Sequence, residues 1–213
     1  MLSAADGRFT HYEALRGQFL DDDLRRLYEG GRMRLFPSML MVSLGAARTF
    51  EGCLPDQRFL LAEPLRLPDG TEVRRLPCQI YSADPTLAPP GKTVLRVIVT
   101  TRAFGYWHGL RARDRGAYAA AKQCVAERVI DVLDRRLGGL RATLEEVDVA
   151  TPATVQRYTN NWQGSMEGWI PAGFLSARPL PKQVPGLRRF YMAGQWLQPG
   201  GGLPAAIDRK SVV

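Results

Sequence analysis

The sequence predicts an α+β fold, in which a largely antiparallel sheet with helices is followed by a separate C-terminal strand, loop and helix start. Between residues 38 and 100, short apolar runs rich in β-branched residues succeed one another across tight turns, the pattern of sequential antiparallel strands. From Gly116 to Leu137 one stripe of apolar side chains recurs at helical spacing, which supplies a helix to cover a face of that sheet. Near the end, Phe190-Tyr191-Met192-Ala193 reads as a buried strand that stops at Gly194. Pro199 and Gly200-Gly201-Gly202 then lead to Leu203-Pro204-Ala205-Ala206-Ile207, a helix start with proline in its first turn.

Taken in order, Leu2 to Gly7 reads as a strand end followed by an Asp-Gly turn. Apolar residues at Leu15, Phe19, Leu20, Leu24, Leu27 and Tyr28 then predict a helix from Thr10 to Tyr28, with Thr10 as N-cap, Glu13 three residues on, and Gly30-Gly31 as its stop. Asp21-Asp22-Asp23 cannot converge on one ion from a helix, because consecutive side chains point in different directions. They mark a solvated face or a break between two short helices. Ser38 to Gly45 is an apolar run bounded by Pro37 and Gly45, suited to a buried strand. Phe59-Leu60-Leu61 and Val73 to Leu76 flank Pro68-Asp69-Gly70 and predict a hairpin. Cys78 to Tyr81 and Thr93 to Thr100 continue the strand character, separated by a loop that Asp84-Pro85 and Pro89-Pro90-Gly91 enforce.

In the long helix, Tyr118, Ala121, Val125, Val129, Val132, Leu133 and Leu137 form the buried stripe, and Gly138 supplies the C-terminal cap. Leu144 to Ala150 alternates as a strand, which Thr151-Pro152 breaks. Phe104-Gly105-Tyr106-Trp107-His108 followed by Arg111, Arg113 and Arg115 interleaves aromatic with basic residues. That pattern is open to stacking on single-stranded nucleic acid, to touching an anionic membrane, or to a plain loop entering a helix.

Composition narrows the chemistry. The 213 residues are 45% hydrophobic and 23% charged, ordinary for a packed domain, with a net charge of +8 that favours anionic partners without choosing among them. Cys53, Cys78 and Cys124 are odd in number, widely spaced and without a C-x-x-C, which argues against a disulfide framework or zinc site and for a reducing, cytoplasmic setting. The N-terminus lacks the apolar core of a secretory signal, and the longest apolar runs fall far short of the roughly 20 residues a spanning helix requires. His11 and His108 have no triad-like or metal-ligand spacing, so no catalytic side chain and no metal ligand is assigned.

A strand ending in glycine-rich backbone before a helix start is an anion-receiving geometry, because glycine admits close approach and the unpaired N–H groups favour negative or polarised oxygen. A flexible surface turn is the plain alternative. YMAGQWLQPGGGLP resembles the C-terminal flavin-binding segment of the phytoene desaturase and carotenoid isomerase-like FAD oxidoreductases, in which a strand ending in A-G leads into P-G-x-G-x-P. Asn160-Asn161-Trp162-Gln163-Gly164-Ser165-Met166-Glu167-Gly168-Trp169 is similar to the N-G-x-x-G-S-x-x-G segment of that family, and Pro185-Gly186-Leu187 to its P-G-L link. The likeness is specific from about Thr151 to Pro204.

The resemblance implies an FAD-dependent oxidoreductase acting on a long apolar polyene by desaturation, saturation or isomerisation. The flavin would meet Gly194, Gln195, Gly201, Gly202 and Leu203 through backbone N–H groups, with Gly164 and Ser165 near the ring. It implies residues 1–9 as a remnant of an FAD-binding, Rossmann-like domain, 10–184 as a substrate domain whose sheet walls the substrate cavity, and 185–207 as the C-terminal FAD-binding segment. Peripheral membrane contact would suit an enzyme that fetches a lipid-like substrate, and nucleic acid is not expected. A strand end at residue 6, and the lack of any G-x-G-x-x-G after a strand, lead to the expectation of an N-terminally truncated fragment, inactive alone. Asp208 to Val213 matches the codons GAT CGG AAG AGC GTC GTG, a string like a sequencing-library adapter, and carries no functional weight here. The reading from another class is a non-enzymatic basic module that binds nucleic acid or anionic lipid.

Overall fold

A computed structural model describes residues 1–30, 33–82, 84, 86–170, 180–202 and 205. The fold is mixed α and β with a mostly antiparallel five-stranded sheet, and its contacts divide it into two compact units: Met39–Ala153, and Met1–Ser38 together with Thr154–Val213. Both boundaries fall inside the 10–184 stretch assigned above to one substrate domain.

The chain begins with strand β1 (Leu2–Ser3), passes through a wide helical turn at Phe9–Ala14 and helix α1 (Asp22–Tyr28), and continues through β2 (Arg34–Leu35) into β3 (Ser38–Ala46). Strands β4 (Asp56–Arg66), β5 (Glu72–Ile80) and β6 (Thr93–Thr101) follow, then helices α2 (Phe104–Arg113) and α3 (Arg115–Leu137), strand β7 (Leu144–Ala150) and helix α4 (Pro152–Thr159). Short strands β8 (Trp169–Ile170) and β9 (Tyr191–Met192) come last.

In the Met39–Ala153 unit the strand order is β4-β5-β6-β3-β7, with antiparallel pairing of β4 to β5, β5 to β6 and β3 to β7. Alternation in β3 and β6 is strict: Leu40, Val42, Leu44, Leu95 and Val97 are at most 1% exposed, while the residues between them are half-buried. Leu76, Cys78 and Ile80 of β5 join the same core, as do Val125, Ala126, Val129, Ile130 and Leu133 of α3. Each such Val, Leu or Ile side chain contributes about 1.5–3 kcal/mol on burial. Helix α3 starts where the Asp114 carboxylate accepts from Ala117 N–H at 2.9 Å and stops at Gly138, whose φ of 63° a β-carbon would oppose.

The hairpin turn does more than reverse the chain. Asp69 Oδ1 accepts from Thr71 N–H at 3.0 Å, and its Oδ2 accepts from Thr101 Oγ1 at 2.9 Å and from Trp107 Nε1 at 2.8 Å. One carboxylate thereby ties the turn to the end of β6 and to the fully buried indole of α2.

The structure corrects the long N-terminal helix. Arg16 and Gly17 take φ of 53° and 68°, which ends the first turn, and Asp21 Oδ1 accepts from Leu24 N–H at 2.8 Å, which starts α1 afresh. The aspartate run is therefore a break with a cap. Thr10 is not an N-cap: its hydroxyl donates to the Asp6 carbonyl at 2.8 Å, and the Asp6 carboxylate receives Phe9 N–H at 2.7 Å instead. The Val73 to Leu76 run and residues 78–80 of the next run are one strand, β5, with Pro77 paired to Arg58. Helix α4 was not foreseen, because Thr151-Pro152 reads as a breaker although proline is equally at home in a first helical turn.

Candidate functional site

The candidate site lies in the unit formed by the two ends of the chain. Strands β1 and β9 pair in parallel, Leu2 with Tyr191 and Ser3 with Met192, and Ala193 N–H donates to the Ser3 carbonyl at 2.9 Å. Beyond Ala193 the strand stops. Gly194 takes φ of 100°, and its carbonyl receives Leu197 N–H at 3.0 Å and Gln198 N–H at 3.3 Å, which folds residues 194–198 into a tight turn. Among the described residues, none accepts a hydrogen bond from the backbone N–H of Gly194, Gln195 or Trp196. The position of a β-carbon on Gly194 faces open space. Successive main-chain donors at a glycine turn are the elements from which an anion-binding nest is built.

The second block packs against this turn. A β-carbon on Gly168 would lie 2.6 Å from the Gln195 carbonyl oxygen, and one on Gly201 would lie 2.6 Å from Glu167 Cβ. Gly200 N–H donates to the Trp169 carbonyl at 2.8 Å. Gly200, Gly201 and Gly202 take φ of 95°, 55° and 67°, a run of left-handed residues that only glycine adopts cheaply. Gly164 and Ser165 are buried, and Ser165 Oγ donates to the Gly168 carbonyl at 2.9 Å, so the serine hydroxyl shapes its own loop. The structure thus brings Gly194, Gln195, Gly201, Gly164 and Ser165 into one locality. Gly202 follows on the exposed side, and Leu203, Pro204 and Ile207 lie outside the described residues, as do Gly31, Pro85, Arg178, Pro179 and Asp208 to Val213.

Around these loops stands an aromatic cluster that the sequence did not announce. Trp169 and Trp196 meet edge to face at 5.5 Å, Trp162 and Trp169 at 5.9 Å, and Tyr28 touches both Trp169 and Trp162. Trp169 and Trp196 are each 1% exposed, yet among the described residues neither indole Nε1 has an acceptor. Buried indole N–H groups ordinarily find a partner.

Two buried ionisable groups brace the cluster. Asp6 is 2% exposed and receives Phe9 N–H on Oδ1 and Trp162 N–H on Oδ2, each at 2.7 Å. Burial raises its pKa above the ordinary carboxylate value, and its three backbone hydrogen bonds and the Arg8 charge partly oppose that. His11 is 4% exposed, with an Nδ1 that lacks a partner among the described residues, and burial lowers its pKa against the opposing charge of Asp21. Asp6 was read only as a turn residue, since Asp-Gly looks the same whether its carboxylate faces water or a distant backbone.

Other stretches behave differently. In the aromatic-basic segment Trp107 is core, Phe104 stacks on His108 at 5.1 Å, and Tyr106, Arg113 and Arg115 are exposed. Within the Met39–Ala153 unit a cavity of about 360 Å³ is lined by residues including Glu51, Cys53, Tyr81, Asp84 and Lys92. Asp84 is engaged by Thr86 and Lys92 by Glu145. Among the described residues no cluster of His, Cys, Asp or Glu could hold a metal ion, and no helix is long and apolar enough to cross a membrane.

A scan of the chain against protein-family models finds no match, and a comparison with curated protein sequences finds no relative.

Proposed function

We propose that this chain supplies the flavin-side half of an FAD-dependent oxidoreductase acting on a long apolar polyene. The observation that carries the reading is the row of backbone N–H groups at Gly194, Gln195 and Trp196, which find no acceptor among the described residues. An oxidised isoalloxazine offers carbonyl oxygens and ring nitrogens as acceptors along one edge, which is what such a row would receive. The parallel pairing of β1 with β9 and its glycine turn supports treating residues 1–9 and 185–207 as parts of an FAD-binding domain. The two motif blocks that carry the family resemblance also pack on each other through Gly168 and Gln195.

When bound, the flavin would supply hydride chemistry, so the protein needs no acid or base of its own. The chain's residues would bind and orient it: the backbone donors of residues 194–196 on the acceptor edge, and the Gly200–Gly202 run beside it. On the substrate side, Met39 and Met41 of β3 and Ile98 of β6 are half-buried apolar residues opposite the α3-covered face and suit a polyene. Exposed Tyr106, Arg113 and Arg115 suit contact with an anionic lipid surface.

The test is to express the chain in frame with the coding sequence upstream of Met1. Yellow protein with a flavin spectrum is expected, with the colour lost on Gly194→Val. Colourless protein that retards a labelled oligonucleotide would establish the basic binding module instead.

A further inference from the structure

We propose that the outer edge of β4 is a pairing surface for a second copy of this chain, and that two arginines of α3 hold it closed. In the sheet order β4-β5-β6-β3-β7, strand β5 covers only one side of β4. Ile80 N–H donates to the Pro55 carbonyl at 2.8 Å, which fixes the phase of the ladder between them. Because bonded and non-bonded pairs alternate, Gln57 and Phe59 bond to Cys78 and Leu76. The backbone groups of Asp56, Arg58 and Leu60 therefore point away from β5. Pro77, which has no N–H to give, sits opposite Arg58, as that phase requires. Past the irregularity between Leu60 and Leu65, Leu67 N–H donates to the Thr71 carbonyl at 2.9 Å, so Arg66 points outward as well.

A free strand edge recruits another strand. The outward residues here suit a copy of themselves. An antiparallel partner related by a two-fold axis at Gln57 sets Asp56 against Arg58 and Leu54 against Leu60, in self-complementary pairs. Leu54 and Leu60 are 71% and 68% exposed, and the Asp56 and Arg58 side chains are exposed beside them. An axis at Arg58 would instead oppose like charges.

The arginines close this edge by taking its acceptors. Arg136 Nη2 donates to the Leu60 carbonyl at 2.7 Å, and Arg128 Nη1 donates to the Arg66 carbonyl. Both carbonyls are ones that the ladder leaves facing outward, where an added strand would need them. Pro64, which offers no N–H, lies between them on β4. The contacts run in reverse order along the chain, so α3 lies antiparallel to the edge it guards, within the Met39–Ala153 unit.

The experiment is sedimentation equilibrium of the 213-residue chain together with residue-resolved amide hydrogen exchange. The native protein should be monomeric, with the Asp56, Arg58 and Leu60 amides exchanging roughly tenfold or more faster than those of Gln57 and Phe59. Arg128→Gln combined with Arg136→Gln should yield a dimer and slow those three amides as protein concentration rises. Adding Leu60→Pro should restore the monomer, because it removes an outward N–H and no bond to β5. Adding Asp56→Arg should also restore it, and Arg58→Asp on top should bring the dimer back. A native dimer, or native edge amides already protected, overturns the proposal without recourse to any variant. A double variant that folds and stays monomeric overturns it too, as does a dimer indifferent to Leu60→Pro or to the charge reversals.

Discussion

The place where Gly168 would carry a β-carbon is 2.6 Å from the carbonyl oxygen of Gln195, so two loops distant in sequence touch backbone to backbone. Gly168 also sits at φ of 70°. Gly168→Ala should therefore combine the strain of a left-handed alanine, about 1–2 kcal/mol, with a clash against main chain. Gly52, at φ of 79° with no atom within 4 Å of its β-carbon site, isolates the first effect. Urea unfolding should place Gly168→Ala well below Gly52→Ala in midpoint, and equal midpoints would refute the close contact.

Asp6 joins residues 156 positions apart by accepting Trp162 N–H. In Asp6→Asn one acceptor becomes an amide donor, and either Phe9 or Trp162 N–H loses its partner. A loss of about 1–3 kcal/mol is expected, the usual penalty for an orphaned buried donor. Thermal melts followed by tryptophan fluorescence would measure it.

His11 predicts a pH dependence. Its native pKa lies below the ordinary 6.5, so on acidification the unfolded chain takes up a proton that the native protein refuses. Stability from this group is full above 6.5 and falls as pH drops from there toward the lowered native value. Asp6 acts with the opposite sign: its raised native pKa adds stability below the ordinary 3.8, lost as pH rises through the native value. His11→Gln should flatten the decline just below 6.5, and an unchanged slope would show that the imidazole titrates alike in the folded and unfolded chain.

Asp69 predicts coupling across the Met39–Ala153 unit. Asp69→Asn should weaken the bonds from Thr101 and Trp107 and lower stability by about 1–3 kcal/mol. Trp107→Phe removes one donor, so the double variant should lose less than the sum of the singles. Strict additivity in a urea-based cycle would break the link.

How much of this was legible in the sequence depended on the range of the interaction. The hairpin was visible because Pro68-Asp69-Gly70 dictates a local turn, and α3 because its stripe and Gly138 agree. The break at Arg16 to Asp21 was hidden, since apolar spacing continues across it and only the left-handed Arg16 and the Asp21 cap reveal the stop. The glycines at 164, 168, 194 and 200–202 stood out singly. That Gly168 backs onto Gln195, or that Trp162, Trp169, Trp196 and Tyr28 share one cluster, depends on tertiary placement that no local pattern encodes.

Strand β1 pairs with β9, Leu2 with Tyr191 and Ser3 with Met192, while residues 39–153 form a compact unit of their own. Such an arrangement imposes an assembly schedule. On the ribosome the central sheet can fold as soon as it emerges, whereas the first 38 residues must wait, with Tyr28 and Leu27 uncovered, for the last strand to arrive. Environment-sensitive emission from Trp169 and Trp196 should therefore report the final kinetic phase of refolding.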